Sequence, residues 1–236
     1  MKRWAIYIDI EGFSLIYSAS EVKAIRLLGE LIQAIYQVGS RAFGDDLNRL
    51  FVHQTGDGFI IVSGSKFQNT ATPLSIAIVL MRSFLMSGGA AKCGVAEGDF
   101  ADIKGCYPEP IRSRMASGGV VPLGSGFMRV FPVMGSAMVR AHQLTNRASG
   151  ALLLIPPKMG ESLPTSFKVS KCGEDYSVID WIHSDAPEIA EIALKSGIDL
   201  AVASNLRSQL VNYLLLNQDG PSAKWRQNTL QFNGCG

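Results

Sequence analysis

The sequence lacks an apolar run long enough to cross a lipid bilayer. The apolar stretch 74–86 contains Arg82 and is shorter than the roughly 20 residues that a spanning helix needs. Asp9 and Glu11 interrupt the apolar residues that follow the N-terminal Met-Lys-Arg, so the pattern does not fit a signal peptide. We therefore expect a cytoplasmic protein with no membrane partner.

The sequence also lacks clusters of like charge and paired cysteines. Its 22 Lys and Arg and 20 Asp and Glu leave a net charge of +2 and are scattered, which argues against nucleic acid as a partner. The four cysteines have no zinc or redox spacing, as expected for a reduced protein. They are Cys93, Cys106, Cys172 and Cys235.

What the chain does have is apolar content. With 47% hydrophobic and 18% charged residues over 236 positions, it is typical of a well-packed globular protein and not of a disordered one. The length fits one large domain or one domain with an appendage.

The most informative stretch is the N-terminal run 4–14, which reads WAIYIDIEGFS. Its first five residues are aromatic or aliphatic, as in a buried β-strand. The strand then ends in the carboxylate of Asp9 and a glycine turn before a helical pattern. Such a turn can hold a cation and a phosphate, because helix N-termini favour anions and glycine lets a ligand approach the backbone.

Downstream, the apolar periodicity predicts alternating helices and strands up to residue 98. The expected order is a strand ending at Asp9, a long helix from Ser14 to about Phe43, strands at 49–53 and 59–64, a helix at 72–86 and a strand at 91–98. This order is the split βαβ arrangement of ferredoxin-like α+β folds. It places the tip of the hairpin, Gly56-Asp57-Gly58, beside the end of the first strand, so that Asp9 and Asp57 meet.

Two carboxylates at adjacent strand ends can bind two Mg²⁺ or Mn²⁺ ions that share their ligands with substrate phosphates. The alternative is structural, because an Asp before Gly is commonly a turn residue or a helix cap. Residue types alone leave both interpretations open.

The motifs resemble those of class III nucleotidyl cyclases. Residues 9–13 (DIEGF) resemble the D-I-x-G-F opening of that family, and residues 55–59 (TGDGF) resemble its G-D-x-F hairpin. The strand 92–98 (KCGVAEG) is similar to the R-x-G-x-x-x-G strand. Residues 134–144 lie where the family has its G-x-x-V-N-x-A-x-R-L helix. The resemblance covers about residues 4–182.

This resemblance implies a ferredoxin-like βαββαβ catalytic domain that cyclises a nucleoside triphosphate and releases pyrophosphate. Asp9 and Asp57 would be the catalytic, metal-binding carboxylates, with the Ile10 carbonyl as a further ligand of two divalent ions. The turn from Glu11 to Ser14, including Gly12 and Phe13, would cradle the phosphates with backbone N–H groups. The family implies a homodimer with its active sites at the subunit interface.

Several positions depart from the purine cyclases. The two base-reading positions fall on His53 and Pro132, and the helix positions of the family's Asn and transition-state Arg fall on Val139 and Gln143. We expect His53 to contact a different base. Arg140 is one residue after the Asn position and about 100° around the helix, so it is not a simple replacement. The transition-state cation would come from elsewhere, with Lys92, Arg112, Arg114 and Arg140 as candidates.

An intact metal pair with an altered base pocket resembles the bacterial pyrimidine cyclases of the Pycsar anti-phage systems. That resemblance implies conversion of UTP to 3′,5′-cyclic UMP, with a separate effector activated by the product. Three alternatives stay open: a cytidylate cyclase, an adenylate cyclase with an unusual base pocket, and a catalytically dead, nucleotide-binding regulator.

The sequence suggests two parts. Residues 1–183 would form the catalytic domain, with a long arm at 99–126, and residues 184–236 an α-helical C-terminal extension. Before the extension we expect a strand at 127–134, a helix at 135–146, a strand at 151–155 and a hairpin from 167–170 and 176–182. In the extension we expect helices at 187–195, 198–216 and, more weakly, 224–232.

Overall fold

The computed structural model describes residues 2–44, 50–63, 69–131, 133–217 and 221–233. The strands within these ranges are β1 (Lys2–Ile10), β2 (Phe51–Thr55), β3 (Gly58–Val62), β4 (Ala91–Asp99), β5 (Ala101–Asp102), β6 (Val120–Leu123), β7 (Gly126–Arg129), β8 (Val133–Met134), β9 (Leu153–Ile155), β10 (Val169–Cys172) and β11 (Tyr176–Ile179). The α-helices are α1 (Phe13–Ala19), α2 (Glu21–Gln37), α3 (Ala71–Met86), α4 (Glu109–Arg112), α5 (Ser136–Thr145), α6 (Pro157–Glu161), α7 (Pro187–Ser196), α8 (Ala203–Leu216) and α9 (Ala223–Phe232).

The main sheet has β1 near its centre. Within the described ranges its strand order is β10-β11-β9-β4-β1-β3-β2. Strand β1 pairs antiparallel with both β3 and β4. Consecutive residues 4–6 of β1 are buried, which indicates a strand that is covered on both faces, because successive side chains point to opposite sides. The predicted βαββαβ order is confirmed, with β9, β11 and β10 extending the sheet beyond β4.

The two faces of the sheet are covered by different helices. Trp4, Ile6 and Ile8 belong to the cluster that includes α2 and α3, whereas Ala5 belongs to the cluster that includes α5. Side chains at odd positions of β1 therefore lie on the α5 face. Asp9 is at one of these positions, at the end of the strand.

The segment after Ala19 differs from the single long helix predicted. Ser20 has extended backbone angles, accepts a hydrogen bond from the Lys23 N–H and begins α2, so the helix is broken there. The apolar positions also divide into two faces. Leu27 and Leu31 are buried, whereas Val22 and Ile25 are exposed.

The arm at 99–126 is more ordered than its composition predicts. It contains β5 and α4, and β6 pairs with β7 in a separate two-stranded sheet. The predicted strand at 127–134 is wrong as a single element. Its first part is in β7, while β8 pairs with β5. The β6–β7 hairpin satisfies its backbone groups locally, whereas β5 pairs with β8 far along the chain, and periodicity alone predicts neither pairing.

The C-terminal helices pack on the same core as β1. Leu206, Leu210, Tyr213 and Trp225 are buried in the cluster that also contains Trp4. The predicted helix start at Ile198 is wrong. Gly197 ends α7 in the left-handed region with φ 68°, and the Ile198 N–H donates to the Ala193 carbonyl, so the chain turns before α8 begins at Ala203. Within the described residues, no helix is long and apolar enough to span a membrane.

Candidate active site

Asp9 and Asp57 lie at one edge of the sheet, as predicted. Asp9 is the penultimate residue of β1 and is paired in register with Gly58, the first residue of β3. Asp57 is in the two-residue turn between β2 and β3. Both carboxylates are half-buried. The hairpin geometry, and not proximity in sequence, therefore brings the two aspartates together.

Gly58 makes room for the Asp9 side chain. A Cβ at residue 58 would lie 2.8 Å from Asp9 Oδ1 and 2.7 Å from the Tyr7 hydroxyl oxygen. Both contacts are shorter than a methyl group tolerates. The second glycine of the Gly56-Asp57-Gly58 sequence is thus required by the side chains of β1.

The site carries an excess of negative charge. Burial, followed by the charges of Asp57 and Glu11, raises the pKa of Asp9 from its ordinary 3.8 to about 6, although Lys92 opposes the rise. Removing a carboxylate from water and placing it near like charges both disfavour ionisation. A bound cation would reverse this penalty.

Tyr7 is a site residue that sequence reasoning missed. Its ring meets the His142 ring edge-on at 4.7 Å between centroids. Burial, and then the charges of Asp9 and Asp57, raise the pKa of Tyr7 to about 12, against a hydrogen bond with the Thr55 side chain. The phenol therefore stays protonated and available as a donor beside the carboxylates. Period-two alternation from Asp9 is the signal that could have found it.

The residues present fit a divalent metal that shares its ligands with a substrate. Asp9 and Asp57 are hard oxygen ligands, and the raised pKa of Asp9 marks negative charge that the described residues do not fully balance. No group of three or more His, Cys, Asp or Glu side chains suited to a metal occurs within the described residues. Two carboxylates and a carbonyl would thus leave the remaining coordination to phosphate and water.

The phosphate role of the turn 11–14 stays a prediction, and the structure shows which of its backbone N–H groups are already bonded. Gly12 has φ 71° and precedes the first residue of α1. The structure corrects the role of Glu11, because its N–H donates to the Ala90 carbonyl at 2.9 Å and is not available to a phosphate. The remaining candidate donors are the N–H groups of Gly12, Phe13 and Ser14.

The Glu11 side chain connects this turn to two distant parts of the chain. Its Oε1 lies 2.9 Å from Lys92 Nζ in β4, and its Oε2 accepts a hydrogen bond from the Trp225 indole N–H in α9. The side chains of Lys92 and Glu11 are only 16% and 13% exposed. No local pattern could reveal the Trp225 contact, because the two residues are 214 positions apart. We call Glu11, Lys92 and Trp225 the Glu11 anchor.

His53 lies in an aromatic stack near the same edge. Its ring is stacked on Phe131 with 3.7 Å between centroids, and Phe131 is stacked on Phe51 at 5.3 Å. Burial, and then the positive charge of Arg129, lower the pKa of His53. Its imidazole is therefore neutral at pH 7. Phe131 and Arg129 were not predicted, and Pro132 lies outside the described residues.

Helix α5 lies directly over β4 on the Asp9 side of the sheet. A Cβ on Gly94 would lie 2.2 Å from the Ala141 carbonyl oxygen, and one on Gly98 would lie 2.4 Å from the Ala137 N atom. The two glycines therefore permit the close approach. On α5, Val139 is 48% exposed, and Arg140 donates to the Glu97 carbonyl at 3.2 Å.

The four candidate cations have different surroundings. Lys92 is held by Glu11, and Arg140 by a carbonyl of β4. Arg112 and Arg114 are exposed in the arm. No described contact brings these two arginines to Asp9.

A cavity of about 440 Å³ borders the phosphate turn from the side of the C-terminal helices. Its lining includes Glu11, Gly12, Tyr213 and Trp225 but neither Asp9 nor Asp57. The cavity and the carboxylates thus share only the turn.

Comparison with solved structures identifies the fold. The chain matches the adenylyl cyclase CyaB from P. aeruginosa with a TM-score of 0.50 and 10% identity, over 75% of this chain and 93% of that one. It also matches the guanylate cyclase domain of RhGC from Catenaria anguillulae in complex with GTP (TM-score 0.47, 11% identity, 75% and 95% covered). A bacterial light-regulated adenylyl cyclase matches with a TM-score of 0.48 and 11% identity, over 89% of this chain and 56% of that one.

No protein-family model matches the sequence, and no curated protein is significantly similar to it. The match to CyaB shows that the chain has the fold of a class III cyclase catalytic domain. At this level of identity the likeness extends to the fold alone, because one fold can host many activities.

Proposed function

We propose that this protein is a metal-dependent nucleotidyl cyclase that converts UTP to 3′,5′-cyclic UMP and pyrophosphate. The observation that carries the proposal is the convergence of Asp9 and Asp57 across the β1–β3 pair, with Gly58 leaving space for the Asp9 carboxylate. The fold, which adenylyl and guanylyl cyclases also have, makes this chemistry the natural one to test.

The proposed roles follow from the positions of the residues. Asp9, Asp57 and the Ile10 carbonyl would hold two divalent ions, either Mn²⁺ or Mg²⁺. When bound, such ions favour ionisation of an attacking hydroxyl and neutralise a triphosphate. The backbone N–H groups of Gly12 to Ser14 would orient the phosphates.

The environment of His53 is chemically suited to uracil. A neutral imidazole offers one donor and one acceptor, which suits the N3–H and the adjacent carbonyl of uracil. Arg129 can only donate hydrogen bonds, and uracil presents carbonyl oxygens where cytosine presents an amino group. The charge of Arg129 near His53 therefore favours UTP over CTP.

Exposed apolar residues of β6, β7, β8 and α5 support a homodimer with active sites at the interface. Leu123 in β6 and Phe127 in β7 are 56% and 72% exposed, and Met134 in β8 and Val139 in α5 are 57% and 48% exposed. Exposed apolar patches of this kind are typical of protein interfaces. A second copy of the chain would cover them and could supply the transition-state cation.

The proposed biological role is synthesis of a second messenger in anti-phage defence, with a separate effector that binds cyclic UMP. This part rests on the resemblance of the altered base positions to pyrimidine cyclases. It predicts that cells expressing the protein with its effector survive phage challenge, and that Asp57→Asn abolishes the protection.

The decisive experiment incubates the pure protein with each of the four ribonucleoside triphosphates and Mn²⁺ and separates the products. We expect cyclic UMP from UTP and no product from Asp57→Asn. Asp175→Asn is the matched control, because the Asp175 side chain is 71% exposed and forms only a 3.8 Å contact with Arg147. A cyclic purine as the main product would contradict the choice of base.

One observation favours a second function, that of a nucleotide-binding regulator without catalysis. Val139 and Gln143 occupy the α5 positions where the resembling family has an Asn and an Arg. The same assay separates the two functions. A protein that binds UTP but gives no product with any triphosphate, and behaves like its Asp57→Asn variant, would be such a regulator.

A further inference from the structure

The C-terminal helix α9 contacts the turn that follows Asp9. The indole N–H of Trp225 donates to Glu11 Oε2, and Trp225 is 6% exposed. A hydrogen bond from a buried indole to a carboxylate is charge-assisted and stronger than a neutral one. Helix α9 therefore fixes the side chain of Glu11. Glu11 lies in sequence between Ile10, whose carbonyl is a proposed metal ligand, and Gly12, whose N–H is a proposed phosphate donor.

Helix α9 is itself fixed to the body of the protein. The Thr229 hydroxyl accepts a hydrogen bond from the Ala151 N–H at 2.9 Å, and the Asn228 side chain donates to the Ser149 carbonyl at 2.7 Å. The Trp225 ring also lies 6.4 Å from the Tyr213 ring. The contact with Glu11 is thus made by a docked helix and not by a loose end.

Lys92 lies near two carboxylates, those of Asp9 and Glu11. It is the register partner of Asp9 across β1 and β4, and paired residues of an antiparallel ladder project to the same face. Its charge acts on Asp9, yet its Nζ lies 2.9 Å from Glu11 Oε1. An ammonium group that moved onto Asp9 would occupy the oxygens that a metal ion needs.

We propose that Trp225 and Glu11 are positioning residues that keep the Lys92 ammonium away from Asp9. Trp225 fixes the Glu11 carboxylate, and Glu11 holds the Lys92 ammonium group by an ion pair. Asp9 is then free to bind a cation. Helix α9 therefore helps to position the residues around the metal site. This inference rests on the proposed metal-dependent function.

The experiment measures Mn²⁺ binding to the full-length protein from the electron paramagnetic resonance signal of free Mn²⁺. Trp225→Phe keeps an aromatic ring against Tyr213 and removes only the N–H. Loss of an outer hydrogen bond that orders a metal site weakens metal binding by about tenfold or more, and we expect a shift of about tenfold here. Trp181→Phe is the matched control, because its indole N–H donates to the Ala151 carbonyl and makes no contact with Glu11. We expect its Mn²⁺ affinity to stay within about twofold of wild type.

A double-mutant cycle tests the role of Lys92. In the Lys92→Met background, Trp225→Phe is expected to change Mn²⁺ affinity by less than about twofold, because no ammonium group remains to compete. A full effect of Trp225→Phe in that background would overturn the proposal. Equal affinities of wild type and Trp225→Phe would overturn it as well.

Binding and catalysis are measured separately, so that the two proposals can fail independently. If wild type binds Mn²⁺ and Trp225→Phe weakens binding, but no triphosphate is cyclised, the anchor stands and the cyclase proposal fails. If wild type forms cyclic UMP while the Trp225→Phe variant keeps wild-type Mn²⁺ affinity, the anchor fails alone. If wild type does not bind Mn²⁺, both proposals are contradicted.

Discussion

Neutralising Asp9 should stabilise the metal-free protein while abolishing its metal response. The pKa of Asp9 is raised from 3.8 to about 6 by burial and by neighbouring carboxylates. Because the pKa of Asp9 is higher in the folded than in the unfolded state, its protonated form favours the folded state. This contribution to stability is fully present below about pH 4. It is lost as the pH rises through about 6. The ionised carboxylate therefore destabilises the fold at pH 8.

The magnitude follows from the shift. About two pK units correspond to roughly 3 kcal/mol as an upper limit. Asp9 is only partly buried, and solvent screening reduces the expected value to about 1–2 kcal/mol. Asp9→Asn keeps the side-chain oxygen that accepts from the Ile10 backbone but removes the charge. We expect Asp9→Asn to raise the free energy of unfolding by about 1–2 kcal/mol at pH 8 and by almost nothing at pH 4.

The assay is urea unfolding at pH 4 and pH 8, with and without Mn²⁺. Wild type should regain stability in Mn²⁺, by about 2.7 kcal/mol at a concentration 100 times the dissociation constant, whereas Asp9→Asn should not respond. Asp175→Asn, a change at an exposed side chain, should stay within about 0.5 kcal/mol of wild type at both pH values. An Asp9→Asn variant that is less stable than wild type at pH 8 without metal would refute the reasoning.

Three further predictions follow from other contacts. Buried Arg82 donates hydrogen bonds to three backbone carbonyls of residues 181–184. Arg82→Met should therefore lower the free energy of unfolding, measured by urea denaturation, by about 3 kcal/mol, and a loss under about 1 kcal/mol would contradict this prediction. Gly58→Ala would place a methyl group against Asp9 Oδ1 and should cost about 1–3 kcal/mol while removing Mn²⁺ stabilisation in thermal unfolding; a normal Mn²⁺ response would argue against the site. Phe127→Ser should raise the dimer dissociation constant about tenfold in light scattering and leave monomer stability within about 0.5 kcal/mol, and an unchanged dimer would place the interface elsewhere.

The parts of the fold that were predictable are those with strong local patterns. Strand β1 is apolar and bounded by an Asp-x-x-Gly turn, and β2 and β3 flank a Gly-Asp turn, so both their type and their pairing could be anticipated. The convergence of Asp9 and Asp57 follows from that pairing. By contrast, the two small sheets formed by β5 with β8 and by β6 with β7 were missed, because strands of two and four residues are too short to give a clear period.

The residues that contact Glu11 and His53 are placed by tertiary contacts that no local sequence pattern predicts. Trp225 reaches Glu11 only because α9 docks beside β9, and Phe131 reaches His53 only because the segment after β7 packs on β2. The N–H of Glu11 was expected to face a phosphate but bonds to Ala90, since β1 and β4 continue to pair up to the turn. Local motifs thus locate the carboxylates, while long-range packing determines how they are held.

The most direct test of the metal–phosphate site is product analysis with UTP and with 3′-deoxy-UTP in Mn²⁺. Ring closure requires the 3′-hydroxyl, so we expect equimolar cyclic UMP and pyrophosphate from UTP. We expect neither product from 3′-deoxy-UTP or from the Asp57→Asn variant. Release of pyrophosphate from the 3′-deoxy substrate, or an equal rate in Asp57→Asn, would contradict the assignment of Asp9 and Asp57 to cyclisation.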